Sequence, residues 1–227
     1  MIALLPMKGN SERVPKKNIR LMHGKPLFFY IADTLLESNH FDLLAINTDS
    51  EEISEIAKNK YGNWVKIIER PASLVGDFVS MNLIINHDVE FLGKENDFFQ
   101  THSTNPLLTQ ETIIKAVNVY QQGVREQNID SLFSVNLIQT RLYDRNLRPI
   151  NHDPKILTRT QDLDIIYEEN SNFYIFSGKS FLENAHRIGK KSIAYVMSKN
   201  SVESIDIDEN ADWELAELVL KGKQKNG

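Results

Sequence analysis

The 227-residue sequence contains no cysteine. That excludes a disulfide framework, a thiolate metal site and a cysteine nucleophile. It also has no apolar run long enough to cross a bilayer. Its apolar start, residues 1–7, has neither the preceding positive charge nor the length of a secretory core, because the basic residues follow it. The expectation is a cytoplasmic chain with no membrane partner. Positive charge is in the minority, 26 Lys and Arg against 31 Asp and Glu, for a net charge of -5. This argues against nucleic acid as the main partner. Repeats and low-complexity tracts are absent too. What remains, 41% hydrophobic and 25% charged residues, is the composition of an ordinary globular protein with a sizeable core.

The charge is unevenly distributed. Residues 1–25 carry Lys8, Arg13, Lys16, Lys17, Arg20 and Lys25 against Glu12 alone, so everything after them is strongly acidic. A short basic segment opening an acidic chain suggests a local site for a compact anion; its plain alternative is a solvated basic loop.

Strand and helix patterns alternate along the chain. Residues 2–7 form an apolar run suited to a buried parallel strand. Pro26 then opens an amphipathic helix over Leu27–Glu37, since proline favours a first helical turn. Strands are predicted at 42–47, 65–68, Asp97–Thr101, 131–135, 172–177 and 193–197. Between and after them come helices capped by Ser50 and Thr109 (the latter through Tyr120), and helices over Met81–Leu92, Gly178–Asn184 and 212–221. This βα repetition predicts an α/β fold, a doubly wound and mostly parallel sheet with ligands at the carboxyl ends of its strands. One domain spans residues 1–227. Within it, residues 137–169 have no helical period and are too long for an ordinary loop, which marks them as a lid or an arm exchanged between subunits.

The segment from Pro6 to Asn18 joins the first strand to the first helix, where such a sheet binds phosphates. Gly9 allows close backbone approach, Asn10 and Ser11 can donate hydrogen bonds, and Lys8, Arg13 and Lys17 can neutralise a triphosphate. It is neither a Walker loop nor a GxGxxG fingerprint, so neither a P-loop NTPase nor a dinucleotide enzyme is favoured. Near the other end, Ser204-Ile-Asp-Ile-Asp208 alternates with period two. In a strand that places Asp206 and Asp208 on one face, with Ile205 and Ile207 in the core. Paired carboxylates repel unless a cation joins them, and magnesium takes such oxygen ligands together with substrate phosphates. A solvent-facing strand end is the alternative, and Asp162 and Asp164, with the same spacing, are assigned to it. A phosphate loop together with a carboxylate pair indicates metal-assisted phosphoryl-group chemistry. His23, His40, His87, His152 and His186 show no metal-ligand spacing, and Trp64 and Trp213 read as packing residues.

These motifs, with Asn47-Thr-Asp-Ser-Glu-Glu-Ile53, Arg70-Pro-Ala-Ser-Leu74, Thr104-Asn-Pro-Leu107 and the stretch from Tyr167 to Tyr174, resemble the acylneuraminate cytidylyltransferase family. That family comprises the CMP-sialic acid synthetases and their legionaminic and pseudaminic acid relatives, and the resemblance covers nearly the whole chain. It implies a Rossmann-like nucleotidyltransferase that transfers CMP from CTP to the anomeric hydroxyl of an acidic nine-carbon keto sugar, releasing pyrophosphate. It further implies Mg2+ on Asp206 and Asp208, with Lys17, Arg13 and Asp208 as the catalytic set. Lys8, Gly9, Asn10, Ser11, Asn18, Arg70, Asp77 and Ser80 become nucleotide-binding, and His102, Thr104, Arg141, Arg159, Gln161 and Tyr174 sugar-binding, with Arg141 or Arg159 on the sugar carboxylate. The 137–169 segment becomes the contact of a homodimer.

Several positions depart from the family pattern. Lys8 and Glu12 stand where Arg and Lys are usual, and His102, Leu108 and Thr160 where Gln, Arg and Arg are usual. Asn170-Ser171-Asn172 replaces an Asn-Gly-small sequence. Glu12 is expected to point away from phosphate or to pair with a neighbouring base. Most of these changes fall on the sugar side. The rival readings are a cytidylyltransferase for another keto acid such as 3-deoxy-octulosonate, and an inactive nucleotide-sugar-binding homologue.

Overall fold

The computed structural model describes residues 1–11, 13–197 and 201–225. The expectation about Glu12 lies outside the described residues. β1 (Ile2–Leu4) leads through the basic loop to a two-stranded ribbon, β2 (Leu21–Met22) and β3 (Lys25–Pro26), and then to α1 (Leu27–Glu37). There follow β4 (Leu43–Thr48), α2 (Glu51–Tyr61), β5 (Val65–Glu69), α3 (Met81–Leu92), β6 (Asp97–Thr101), α4 (Gln110–Gln127) and β7 (Ser131–Ile138). The chain closes with β8 (Ile166–Ser177), α5 (Gly178–Asn184), β9 (Ser192–Val196) and α6 (Asn210–Lys225).

One seven-stranded sheet runs in the order β5-β4-β1-β6-β8-β7-β9. Its neighbours pair in parallel except β8, which is antiparallel to both β6 and β7. The sheet is thus mostly parallel, as expected, and β7 does not join β6 because β8 returns between them. The sheet is covered on both faces. Phe28, Ile31 and Leu35 of α1, Ile53 and Ala57 of α2 and Ile113 and Val117 of α4 pack on one face. Ile85 and Val89 of α3 and Phe181 of α5 pack on the other, against Ile2, Leu4, Phe98 and Phe176. Burial on both faces explains why the central strands are continuous apolar runs rather than alternating ones.

Capping sets the helix starts. Ser50, Ser80, Thr109 and Ser177 each accept a backbone N–H from the first turn of α2, α3, α4 and α5. α4 continues past Tyr120 to Gln127, because Gly123 lets Ile129 fold back against it: a Cβ there would lie 2.5 Å from Ile129 Cδ1. β8 starts at Ile166, six residues before its apolar part. That first half pairs only with the far end of β7, beyond a register shift between Phe133 and Val135. Ser171, at φ 56°, takes the left-handed turn where the family pattern has glycine.

The irregular segment accordingly shrinks to residues 139–165, the flanks of 137–169 being hairpin. Asn151, nearly fully buried, ties its root together by accepting from the Leu142 amide and donating to the Thr140 and Asp164 carbonyls. Beyond that root, Tyr143, Leu147, Ile150, Ile156 and Leu157 are exposed, Leu157 at 92%.

A third apolar cluster matters most for function. Val14 of the first loop packs with Met22, Leu27 and Leu107, and with Ile207, Trp213 and Ala216 from the end of the chain. The Arg20 guanidinium covers the Trp213 ring at 4.3 Å. Burial of this cluster fastens the last segment beside the first loop, where Lys17 bonds to Ile207 across 190 residues of sequence.

Candidate active site

A cleft of about 470 Å³ opens at the carboxyl ends of β1, β5 and β6, where the strand order reverses on either side of β1. This is the crevice where open α/β sheets place ligands, and its size suits a small molecule. Lys8, Ser11, Arg13, Lys17 and Asn18 line it from the first loop, and Arg70 and Asp77 from the segment after β5. His102 and Thr104 line it from the loop after β6, and Asp206 and Asp208 from the final segment. Met81, Ile84 and Val79 supply an apolar wall.

The aspartate pair does not sit in a strand. After a short turn, Val202–Ser204, residues 205–208 are extended but belong to no sheet. Their alternation survives because the Ile207 amide bonds to the Thr104 carbonyl at 2.9 Å and its side chain is fully buried. Glu203 adds a second fastening by accepting from the Thr109 amide and hydroxyl. Asp212, in the first turn of α6, accepts the amides of Asp208 and Glu209 at 3.0 and 2.8 Å and so holds Asp208 at the cleft.

Lys17 reaches across to this segment, donating to the Ile207 carbonyl at 2.6 Å with its ammonium 3.6 Å from Asp208. Burial pulls its pKa below the usual lysine value, against the attraction of Asp208 and Asp206. Arg13 lies 3.2 Å from the same Asp208 oxygen and stays largely in solvent. Asp206 is open to solvent on one side, yet packing against the cleft wall raises its pKa. A hydrogen bond from Thr104 opposes that shift, the charge of Asp208 adds to it, and the Lys17 ammonium opposes it. Two carboxylates in mutual repulsion, with cations gathered round, form an oxygen-only donor pair that suits a hard divalent ion. Among the described residues no group of three or more His, Cys, Asp or Glu is close enough to hold a metal. An ion here would complete its shell from substrate and water.

The other loop residues divide by role. Asn18 is buried and orders the loop, donating to the Lys8 carbonyl at 2.8 Å and accepting from the Ser103 hydroxyl at 2.5 Å. Lys8 meets Asp77 across the cleft mouth at 2.6 Å, so an entering phosphate competes with Asp77 for it. The Gly9 amide is already taken by Asp49 at 2.7 Å. The close approach Gly9 permits is to Ser50, 2.8 Å from where its Cβ would be, rather than to an anion. Asn10 is exposed outside the cleft lining. Ser80 also lies outside it; its hydroxyl caps α3, which brings Met81 to the wall.

On the sugar side the structure brings together His102 and Thr104 but not the other four. Arg141 bonds to the Thr158 carbonyl, Arg159 pairs with Asp162 at 2.6 Å, and the Gln161 carbonyl accepts from Gln139. All three stay on the arm, held by local bonds outside the cleft of their own chain. Tyr174 is fully buried opposite Gln100 in the sheet, its hydroxyl bonded to Glu169 and Ser171.

The sequence reading missed two buried amides that support the cleft. Asn47 donates to Asp88 at 2.6 Å and accepts from Arg70 Nε at 2.7 Å. Gln100 links Arg187 to His102. Asn47 opens the Asn47–Ile53 motif, whose sequence assigns it no role, whereas Gln100 inside an apolar strand is the kind of buried polar residue that calls for a partner.

The family model described as Cytidylyltransferase matches residues 2–226. Pseudaminic acid cytidylyltransferase of Campylobacter jejuni is 30% identical over 97% of this chain and 96% of its own length. CMP-N,N'-diacetyllegionaminic acid synthase of Legionella pneumophila is 27% identical, over 99% and 98%. N-acylneuraminate cytidylyltransferase of Escherichia coli is 28% identical over 99% of this chain, which matches 53% of that longer protein. Among solved structures, a CMP:2-keto-3-deoxy-manno-octonic acid synthetase complexed with CTP superposes with a TM-score of 0.67 at 10% identity, covering 98% of each chain. A 4-diphosphocytidyl-2C-methyl-D-erythritol synthase from Anaerococcus prevotii gives 0.67 at 12% identity over 97% and 96%; these two likenesses speak to the fold alone.

Proposed function

Because the chain belongs to the cytidylyltransferase family, we propose that its cleft transfers CMP from CTP to the anomeric hydroxyl of an acidic nine-carbon keto sugar, with release of pyrophosphate. The observation that carries this reading is the convergence of Lys8, Arg13 and Lys17 with Asp206 and Asp208 in one cleft. The relatives that match along nearly their full lengths are named for pseudaminic and legionaminic acids, which supports an acceptor of that class.

In this scheme the α-phosphate lies between Lys17 and the aspartate pair while Arg13 and Lys8 neutralise the departing pyrophosphate. Asp206 and Asp208 would hold Mg2+, which when bound supplies charge neutralisation at the transferring phosphate. Lys17 is anchored by the Ile207 carbonyl, so its ammonium is positioned before substrate arrives and needs little reorganisation. Arg70 is pinned by the Asn47 side chain and by the Met7 and Asn47 carbonyls, presenting a fixed cation beside the nucleotide. No enzyme nucleophile is required, since the sugar hydroxyl attacks the phosphorus directly.

The test is a pyrophosphate-release panel crossing the four nucleoside triphosphates with pseudaminic, N-acylneuraminic, legionaminic and 3-deoxy-octulosonic acids. CTP with a nine-carbon acid is expected to exceed every other combination. Equal turnover with UTP would reject the cytidine assignment, and preference for the octulosonate would reject the sugar class.

The exposed apolar side chains of residues 139–165 support a homodimer in which this arm is covered by a second copy. Arg141 and Arg159, which lie outside the cleft of their own chain, would then serve the sugar carboxylate across the interface. Light scattering at micromolar concentration is expected to give twice the 26.1 kDa chain mass; a monomer refutes the assembly.

A further inference from the structure

Arg187 lies between α5 and β9, largely buried, and among the described residues it has no carboxylate partner within ion-pair distance. A cation removed from water without an ion pair is costly, so what it touches is informative. Its guanidinium stacks on the Tyr174 ring at 3.9 Å, and Nη1 donates to the Gln100 side-chain oxygen at 2.7 Å. Gln100 is fully buried; its amide nitrogen donates to the Thr101 carbonyl at 2.9 Å and lies 3.1 Å from His102 Nε2.

These contacts fix hydrogen-bond polarity. A guanidinium can only donate, so the Gln100 oxygen must face Arg187; a carbonyl can only accept, so the Gln100 nitrogen must face Thr101. The amide cannot flip without losing both bonds, and its NH2 therefore points at His102 Nε2. That nitrogen must accept, which leaves the imidazole proton on Nδ1. Burial, with Arg187 and Lys17 nearby and Asp208 opposing, pulls the His102 pKa down to about 4, consistent with a neutral ring. The ring lines the cleft, and among the described residues Nδ1 has no hydrogen-bond partner of its own.

We infer that Arg187 and Gln100 are positioning residues that lock His102 as the neutral Nδ1–H tautomer, so that it presents a single donor to an acceptor oxygen of the acid sugar. This deepens the proposed function and rests on it for the identity of the ligand. A free imidazole could present either polarity; the locked one favours a carboxylate or acyl carbonyl oxygen and refuses a donor.

Nitrogen-15 NMR of the ligand-free full chain reads the tautomer directly, without any turnover. A pyrrole-type signal on His102 Nδ1 and a pyridine-type signal on Nε2 are expected; the reverse assignment, or an averaged signal, overturns the lock. Gln100→Leu and Arg187→Met should each average the two signals and raise the acid-sugar KM roughly tenfold, the scale of one oriented hydrogen bond, with the CTP KM unchanged. Arg187→Lys, which keeps a donor for Gln100, should recover most of the sugar affinity. A purely structural role would instead lower the melting temperature without a selective change in sugar KM, and that outcome refutes the inference. If no acid sugar supports turnover while the tautomer is as stated, the reading of the ligand fails and the lock stands.

Discussion

Asp208→Asn is expected to slow pyrophosphate release by on the order of a hundredfold or more while the protein stays folded. Two losses combine. Asparagine retains an oxygen but removes the charge on which the proposed divalent-cation site at Asp206 and Asp208 depends. It also removes the carboxylate that Arg13 approaches at 3.2 Å and that supports the Lys17 charge against burial, a loss that holds whether or not the proposed cation site is right. The ammonium then falls further below its ordinary pKa, and the phosphate meets a weaker cation. Stability should hardly change: the Asp208 side chain is half exposed, and its backbone stays tied to Asp212. Removing the charge also relieves repulsion on Asp206. Pyrophosphate release measured against magnesium concentration, with thermal melting alongside, decides the matter. A near-normal rate at low magnesium would place the metal site elsewhere.

The legible and illegible parts of this protein differ for physical reasons. α1, α3 and α5 match their predicted bounds because local signals agree there: a capping serine or a leading proline, then an apolar stripe. The first half of β8 carries Glu168, Glu169 and Asn170 on the sheet's flank, and no short-range pattern marks it as a strand. The Asp206–Asp208 segment shows the opposite case. Its period-two pattern came from anchoring Ile207 under Thr104 and Trp213, not from a ladder, so the side-chain directions were read correctly from a wrong element. For the site, residues whose charge faces the cleft could be found from type and position, as with Lys17 and Arg13. Gly9, Ser80 and Tyr174 could not be separated from them, because a glycine beside a cap, a serine that is a cap and a buried tyrosine resemble ligand residues in one dimension. Asn47 and Gln100 each depend on a partner far along the chain, Asp88 at 41 residues and Arg187 at 87, a relation that appears only once the sheet has formed.

Asp88→Asn is expected to change the pH dependence of stability by on the order of 2 to 3 kcal/mol between about pH 4 and pH 7. Asp88 lies in the middle of α3 and is 1% exposed. Burial raises its pKa from 3.8 to about 6; the Asn47 hydrogen bond is the largest opposing influence, and His87 and Arg70 oppose it as well. A carboxyl whose folded pKa is raised binds its proton more tightly in the native state than in the unfolded chain. Its contribution to stability is therefore fully present below pH 3.8 and is lost as pH rises through about 6. Asparagine cannot ionise, and its side-chain oxygen can still accept from Asn47, so the Arg70 contact is kept. The free-energy difference between variant and wild type should accordingly move in favour of the variant across that interval and level off above it. The CTP KM should stay within about twofold of wild type, because Arg70 remains pinned by Asn47. Asn47→Ala supplies the contrast: it leaves Asp88 without its amide donor and Arg70 without its acceptor, so it should cost about 3 kcal/mol at neutral pH and weaken CTP binding together. Urea unfolding at a series of pH values measures both. Parallel stability curves for wild type and Asp88→Asn would show that Asp88 ionises in the folded protein as it does in the unfolded chain.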